Sequence, residues 1–187
     1  MVYIDERITK YNCDIFKEMI GKKLICIMHD PFVYSNSVYG IAGLNVAHSF
    51  YKISNKIEVK DYFGAEEDVA IFNIMKTEKD DIHSYIEDVK MIEMPVNQMI
   101  KHIKVVNEHQ QLFEQDQQIY DVWITRGIII ELADGLEVSF EKEIWFSEDI
   151  NIERGYKLVD KFFPISRVTE GWDLPQKMRC KRETVEI

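Results

Sequence analysis

Any chemistry in this chain must be assembled from residues that stand far apart. The histidines are His29, His48, His83, His102 and His109. No two have the His-x-x-x-His spacing that sets two ligands on one helical face. His29-Asp30 closes an apolar run that holds Cys26. With His48 further along, these residues mark where a dispersed acid–base, thiol or small-molecule/metal-binding site would converge. A thiol nucleophile needs a base and an electropositive setting, and His29 is the local base that Cys26 has. His102 and His109, with Glu108, form a second acid–base grouping whose plainer reading is a polar surface segment. Cys180 lies between Arg179 and Lys181, which could lower its pKa, although an exposed thiol in a loose tail is the plainer reading. Cys13, Cys26 and Cys180 have neither metal nor redox spacing.

Motifs that organise a site around one loop are missing. There is no Gly-x-Ser-x-Gly elbow and no phosphate-cradling Gly-x-x-x-x-Gly-Lys. Gly40-Ile41-Ala42-Gly43 lacks the third glycine and the strand-then-helix setting of a dinucleotide loop. Carboxylates cluster at Glu66-Glu67-Asp68, Asp80-Asp81 and Glu148-Asp149, none with calcium-loop spacing. Glycoside chemistry would need two of them facing at a set separation. Trp123, Trp145 and Trp172 could stack on a ring, although aromatics in alternating strands are usually core.

Charge favours a different use of the acids. The chain carries 23 Lys and Arg against 33 Asp and Glu, a formal charge of −10. That disfavours direct contact with nucleic acid or an anionic membrane and favours a basic protein partner. The leading expectation is therefore a non-catalytic acidic protein-binding module. It would act as an inhibitor covering the basic, nucleic-acid-binding surface of a partner, as immunity proteins and phage-borne anti-defence proteins do. Its contact residues would be Glu66, Glu67, Asp68, Glu148 and Asp149. The alternative is an enzyme or a small-molecule or metal-binding protein built near His29, Asp30 and His48. A third option is an assembly subunit, a homodimer through an exposed strand edge. No cofactor and no metal is expected. The N-terminus has no signal-type apolar run, and no stretch nears the roughly 20 residues of a membrane helix. The expected compartment is the cytoplasm, with reduced thiols.

The predicted framework is α+β, built from antiparallel hairpin units. Residues 128–132 and 136–140 flank Asp134-Gly135, a strong hairpin signal because Gly accepts positive φ. Residues 49–53 and 57–63 form a second hairpin around Ser54-Asn55-Lys56. Gly64 to Asp68 then turns the chain into a strand at 69–74. The motif SNKIEV at 54–59 resembles ADGLEV at 133–138, and an acidic turn and strand follow each, with the aromatic pairs Tyr62-Phe63 and Trp145-Phe146 between. This suggests two related β-rich halves, 1–94 and 95–187.

Helical spacing predicts a helix over 5–20, capped by Asp5 and stopped at Gly21. It predicts another over 77–89, capped by Thr77, and a third from Pro95 through Val96, Met99, Ile100 and Ile103, although Ile103-Lys104-Val105-Val106 reads equally well as a strand. A strand is expected at 24–28, a loop or broken strand at 32–45, a turn at 114–117 and a strand at 119–125. A short helix is expected at 156–163, and a polar, partly mobile tail from Pro175.

Overall fold

The computed structural model describes residues 1–31, 36–62, 64–143, 146–170 and 175–187. The expectations that rest on residues 32–35, Phe63, Trp145 and Trp172 lie outside these. In chain order the elements are β1 (Val2–Glu6), α1 (Lys10–Met19), β2 (Lys23–His29), β3 (Ser37–Tyr39), β4 (Ile41–Val46), β5 (Ser49–Tyr62) and β6 (Ala65–Thr77). There follow β7 (Ile92–Glu114), β8 (Gln117–Leu132), β9 (Glu137–Lys142), β10 (Asp149–Gly155), α2 (Ile165–Thr169) and β11 (Gln176–Glu186). The architecture is a mostly antiparallel β-sheet with one helix of ten residues and one of five among the described residues. The expected α+β framework, with helices between two halves, is therefore corrected. No helix among the described residues is long and apolar enough to cross a membrane.

Three predicted helices meet different fates, for local reasons. The first begins late. Ile4 and Glu6 join β1, which pairs in parallel with β8, and Asp5 pairs with Arg7 at 2.6 Å instead of capping. Thr9 is the true cap: its Oγ1 accepts from Asn12 N at 3.3 Å, and Asn12 Oδ1 accepts from Thr9 N at 2.8 Å. Gly21, at φ +77°, stops the helix as expected.

The second predicted helix is a single 3-10 turn at Lys79–Asp81. Only Ile82 of its apolar stripe is buried, against Cys26 and Met28, and Ile86 stays exposed. The third is the first part of β7, a strand of 23 residues. Val96 and Ile100 are four apart, an even spacing that a strand shares with a helix. Pro95 is tolerated because it faces Cys26 where the β2–β7 register shifts.

The Asp134-Gly135 hairpin forms as predicted, with Gly135 at φ +83° donating from N to Leu132 O at 2.9 Å. The Ser54-Asn55-Lys56 turn does not form; these residues lie inside β5. Asn55 is buried because its amide donates to Ser147 O (2.9 Å) and Asp149 O (3.3 Å). SNKIEV is thus mid-strand while ADGLEV spans a turn, so the two motifs are not equivalent units. Strand β7 also runs unbroken through residues 94 and 95. The tail, expected to be mobile, is β11, paired with β7 along its whole length.

The sheet follows the order β3-β10-β9-β8-β7-β2-β4-β5-β6. It closes on itself because β3 and β4 are one chain bent at Gly40. The β3 side pairs with β10, and the β4 side pairs with β2 and β5. The resulting ring encloses the main core, to which α1 adds Ile15, Phe16 and Met19. Each large apolar side chain so buried contributes about 1.5–3 kcal/mol.

Beyond Asn55, β5 has outrun β4, and with β6 it continues as a two-stranded arm. Val69 and Ile71 of the arm pack on Leu112, Tyr120, Val122 and Met178, forming a second core. Gly40 makes the bend possible. Its φ is +67°, and an added Cβ would lie 2.8 Å from Tyr85 Cδ2. We expect Gly40→Ala to cost about 1–3 kcal/mol from backbone strain and crowding, read as a lower urea midpoint. An unchanged midpoint would mean that the ring does not depend on this bend.

Candidate functional site

The five predicted contact acids separate into two groups. Glu66, Glu67 and Asp68 lie on β6 near the end of the arm, and all three are exposed. None forms an ion pair among the described residues. Lys60, which faces Glu67 across the hairpin, turns instead to Glu58 (3.0 Å) and Glu6 (3.4 Å). Residues 56–68 carry five acids against two lysines.

Glu148 and Asp149 are engaged inside the fold. Glu148 Oε1 accepts from Ile57 N at 3.2 Å, closing the edge of β5 that β4 has left, and it also accepts from the Tyr39 hydroxyl. Asp149 begins β10 beside Glu143, whose carboxyl is pushed up first by burial and then by Asp149. The backbone around these two acids is committed to Asn55, so they are half-buried fasteners of the arm.

The histidine grouping does not converge. His29 faces Ala42 at one end of the β2–β4 pair. His48 is exposed in the turn after β4, at the other end, beyond the Leu24–Val46 pair. His29 Nδ1 donates to the Asp30 carbonyl at 2.6 Å, and Ser84 Oγ donates to Asp30 Oδ2 at 2.9 Å. Burial raises the Asp30 carboxyl. Cys26 packs with Met28 and Ile82, and burial raises its thiol. No group of three or more His, Cys, Asp or Glu side chains is placed to hold a metal among the described residues.

Alternation along β7 also separates Glu108 from His109, because neighbours in a strand point to opposite faces. His109 stacks on Trp123 with centroids 4.1 Å apart and donates from Nε2 to Asp121 at 2.5 Å. Arg7 covers the Trp123 ring at 4.5 Å. His102 pairs with Glu186 at 2.9 Å. Cys180 faces away from Arg179 and Lys181; burial, then Glu108, pushes its thiol up to about 12.

Glu108 lies at the centre of a buried charge cluster that the sequence reading missed. Its carboxylate accepts from Arg126 at 2.7 Å, from Arg182 at 2.5 Å and from Gln110 at 3.1 Å. Burial pushes its pKa up, but the charge and hydrogen bonds of Arg126, then those of Arg182, outweigh that and hold it low. Arg182 also donates to Phe163 O at 2.6 Å, and Phe163 N donates to Glu141 at 2.6 Å. On β9, burial raises Glu141 to about 7 and lowers Lys142 to about 7. The Lys142 ammonium reaches across to the Ala70 carbonyl of the arm. These groups fall between the two cores along β7 and β8, and no residue spacing advertised them. They tie β6, β9, β11 and the segment before α2 to one carboxylate.

A cleft of about 630 Å³ opens between α1 with its leading loop and the outward face of β5–β6. Ser54 and Asn73, a cross-strand pair, lie along it. Asn12 of α1 donates to Asn73 Oδ1 at 2.6 Å and to Ile74 O at 2.8 Å, fixing the helix against the strand edge. Lys52 and Lys56 flank Ser54, and Tyr11 and Tyr85 also line the cleft. The alternation of Lys52, Ser54 and Lys56 was visible in the sequence, but assigning 54–56 to a turn hid it.

No family model matches this chain, and no curated protein or solved structure matches it either.

Proposed function

We propose that this protein is a non-catalytic binding module that presents its acidic arm to the basic surface of a partner protein. A partner whose basic surface serves nucleic-acid binding would be inhibited by being covered. The observation that carries this reading is the state of Glu66, Glu67 and Asp68. They stand exposed on β6, near the hairpin end of the two-stranded arm, and are not consumed by ion pairs among the described residues. Carboxylates with no internal partner keep their full field for steering a cationic surface. Glu148 and Asp149 act indirectly in this reading, by holding the arm where Ile57 and Asn55 meet β10.

The triple variant Glu66→Gln, Glu67→Gln, Asp68→Asn tests this. In affinity capture from the native host, read by mass spectrometry, it is expected to lose the basic proteins that the unaltered chain retains. With the captured partner in hand, association at low salt should slow by about tenfold. Capture and association rates equal to those of the unaltered chain would sink the proposal.

A further inference from the structure

The geometry points to a second, small-molecule site: the cleft between α1 and the β5–β6 hairpin binds a nucleotide-like ligand, a phosphate-bearing anion with a planar ring. The carboxylates lining the cleft are Asp5, Glu6 and Glu58, and each is ion-paired, Asp5 with Arg7 and the other two with Lys60. Lys52 and Lys56 line the same cleft and pair with no carboxylate among the described residues. Lys60, just outside the lining, serves both Glu6 and Glu58; with it counted the cleft carries a net charge of about +1, held at Lys52 and Lys56, in a chain whose net charge is −10.

The hydrogen-bonding groups have the matching sense. Asn73 spends its oxygen on Asn12, which leaves its amide nitrogen as a donor. The Ser54 hydroxyl makes no hydrogen bond among the described residues, so it too can donate. Ser54 lies between the two lysines on the same face of β5. The Lys52 and Lys56 backbones are about 13 Å apart at the strand rise, and both flexible side chains can reach an anion held at Ser54.

Ring and size follow from the walls. Tyr11 is 65% exposed and Tyr85 is 43% exposed, although Tyr85 is seated against Gly40 and edge-on to Tyr39. A seated, half-exposed ring offers a stacking surface at little entropic cost. The cleft volume falls within the roughly 300–1,000 Å³ of small-molecule sites. The cleft shares Lys56 and Glu58 with the base of the arm, whereas the arm's contact acids Glu66, Glu67 and Asp68 do not line it.

The test is isothermal titration with adenosine diphosphate, uridine diphosphate and inorganic pyrophosphate, with amide chemical shifts followed in parallel. At least one nucleotide is expected to saturate the site with Kd below about 1 mM and to shift the Ser54 and Asn73 amides. Lys52→Ala/Lys56→Ala should weaken that binding at least about tenfold, whereas Lys177→Ala/Lys181→Ala on β11 should leave it unchanged. Tyr85→Ala should bring nucleotide affinity down to the pyrophosphate level. Circular dichroism and melting of each variant guard against misfolding. Four results would overturn the inference: no saturable nucleotide binding, equal weakening by both lysine pairs, pyrophosphate binding as tightly as either nucleotide, or an oligoglutamate peptide binding more tightly than both.

Discussion

Glu108→Gln is expected to destabilise the protein by about 3–5 kcal/mol, the range found when one partner of a buried ion pair is removed. The carboxylate is fully buried, and so is Arg126; Arg182 is nearly so. Without Glu108 the two guanidiniums would face each other with carbonyls as their remaining partners, those of Lys142, Glu143 and Phe163. The loss should be read as a shift of the urea midpoint at constant slope. Hydrogen exchange should rise first in β11, because Arg182 is the inward anchor that ties that strand to the cluster. Adding Arg126→Met should recover part of the loss, since one of the orphaned charges goes with it. A cost below about 1 kcal/mol would mean that the cluster is hydrated and that the cores do not depend on it.

Lys142→Met is expected to act in the opposite direction. Lys142 is 2% exposed, and burial lowers its pKa from 10.5 to about 7. A folded-state pKa below the unfolded one means that folding disfavours the ammonium. The contribution of Lys142 to stability is thus complete above about 10.5 and is lost as pH falls towards 7. Between pH 7 and 8.5 the unaltered protein should gain about 1.5 kcal/mol from this residue. That window lies above the pH range of Glu141, whose raised pKa of about 7 makes its own contribution fade from roughly 4.5 up to 7. Towards pH 8.5 the cysteines begin to oppose the trend, because burial raises Cys180 to about 12 and raises Cys13 and Cys26 as well, so the rise is steepest between about pH 7 and 8. Lys142→Met should remove the gain, and at pH 7 it should be more stable than the unaltered chain by about 1–2 kcal/mol. The offset is limited because the Ala70 carbonyl loses its donor. A variant that keeps the rise between pH 7 and 8.5 would assign it to another group.

Both effects belong to residues that no motif marks. Glu108 sits in a Gln-rich stretch that reads as surface, and Arg126 and Lys142 each interrupt or follow an apolar run. Their partners come from β11 and the segment before α2, 74 residues from Glu108 in the case of Arg182. A local pattern cannot register a contact of that separation. The acidic arm was half legible. Glu66, Glu67 and Asp68 are exposed, as a run of like charges suggests, while Glu148 resembles them in sequence and is spent on Ile57.

What the sequence determined by itself is what depends on neighbours within a few residues. The Asp134-Gly135 hairpin, the turn near 114–117, the stop at Gly21 and the apolar strand of β2 all rest on φ preference or short-range alternation. The net acidity is fixed by composition. Tertiary structure decided the rest. An apolar spacing of four suits both periods, so Val96 and Ile100 became strand only because β2 and β8 were there to pair with β7. Ser54-Asn55-Lys56 looks like a turn because its side chains are polar, yet Asn55 is polar in order to hold the backbone of β10. Tertiary pairing thereby straightened β5, placed Lys52, Ser54 and Lys56 on one face, and opened the cleft beside α1.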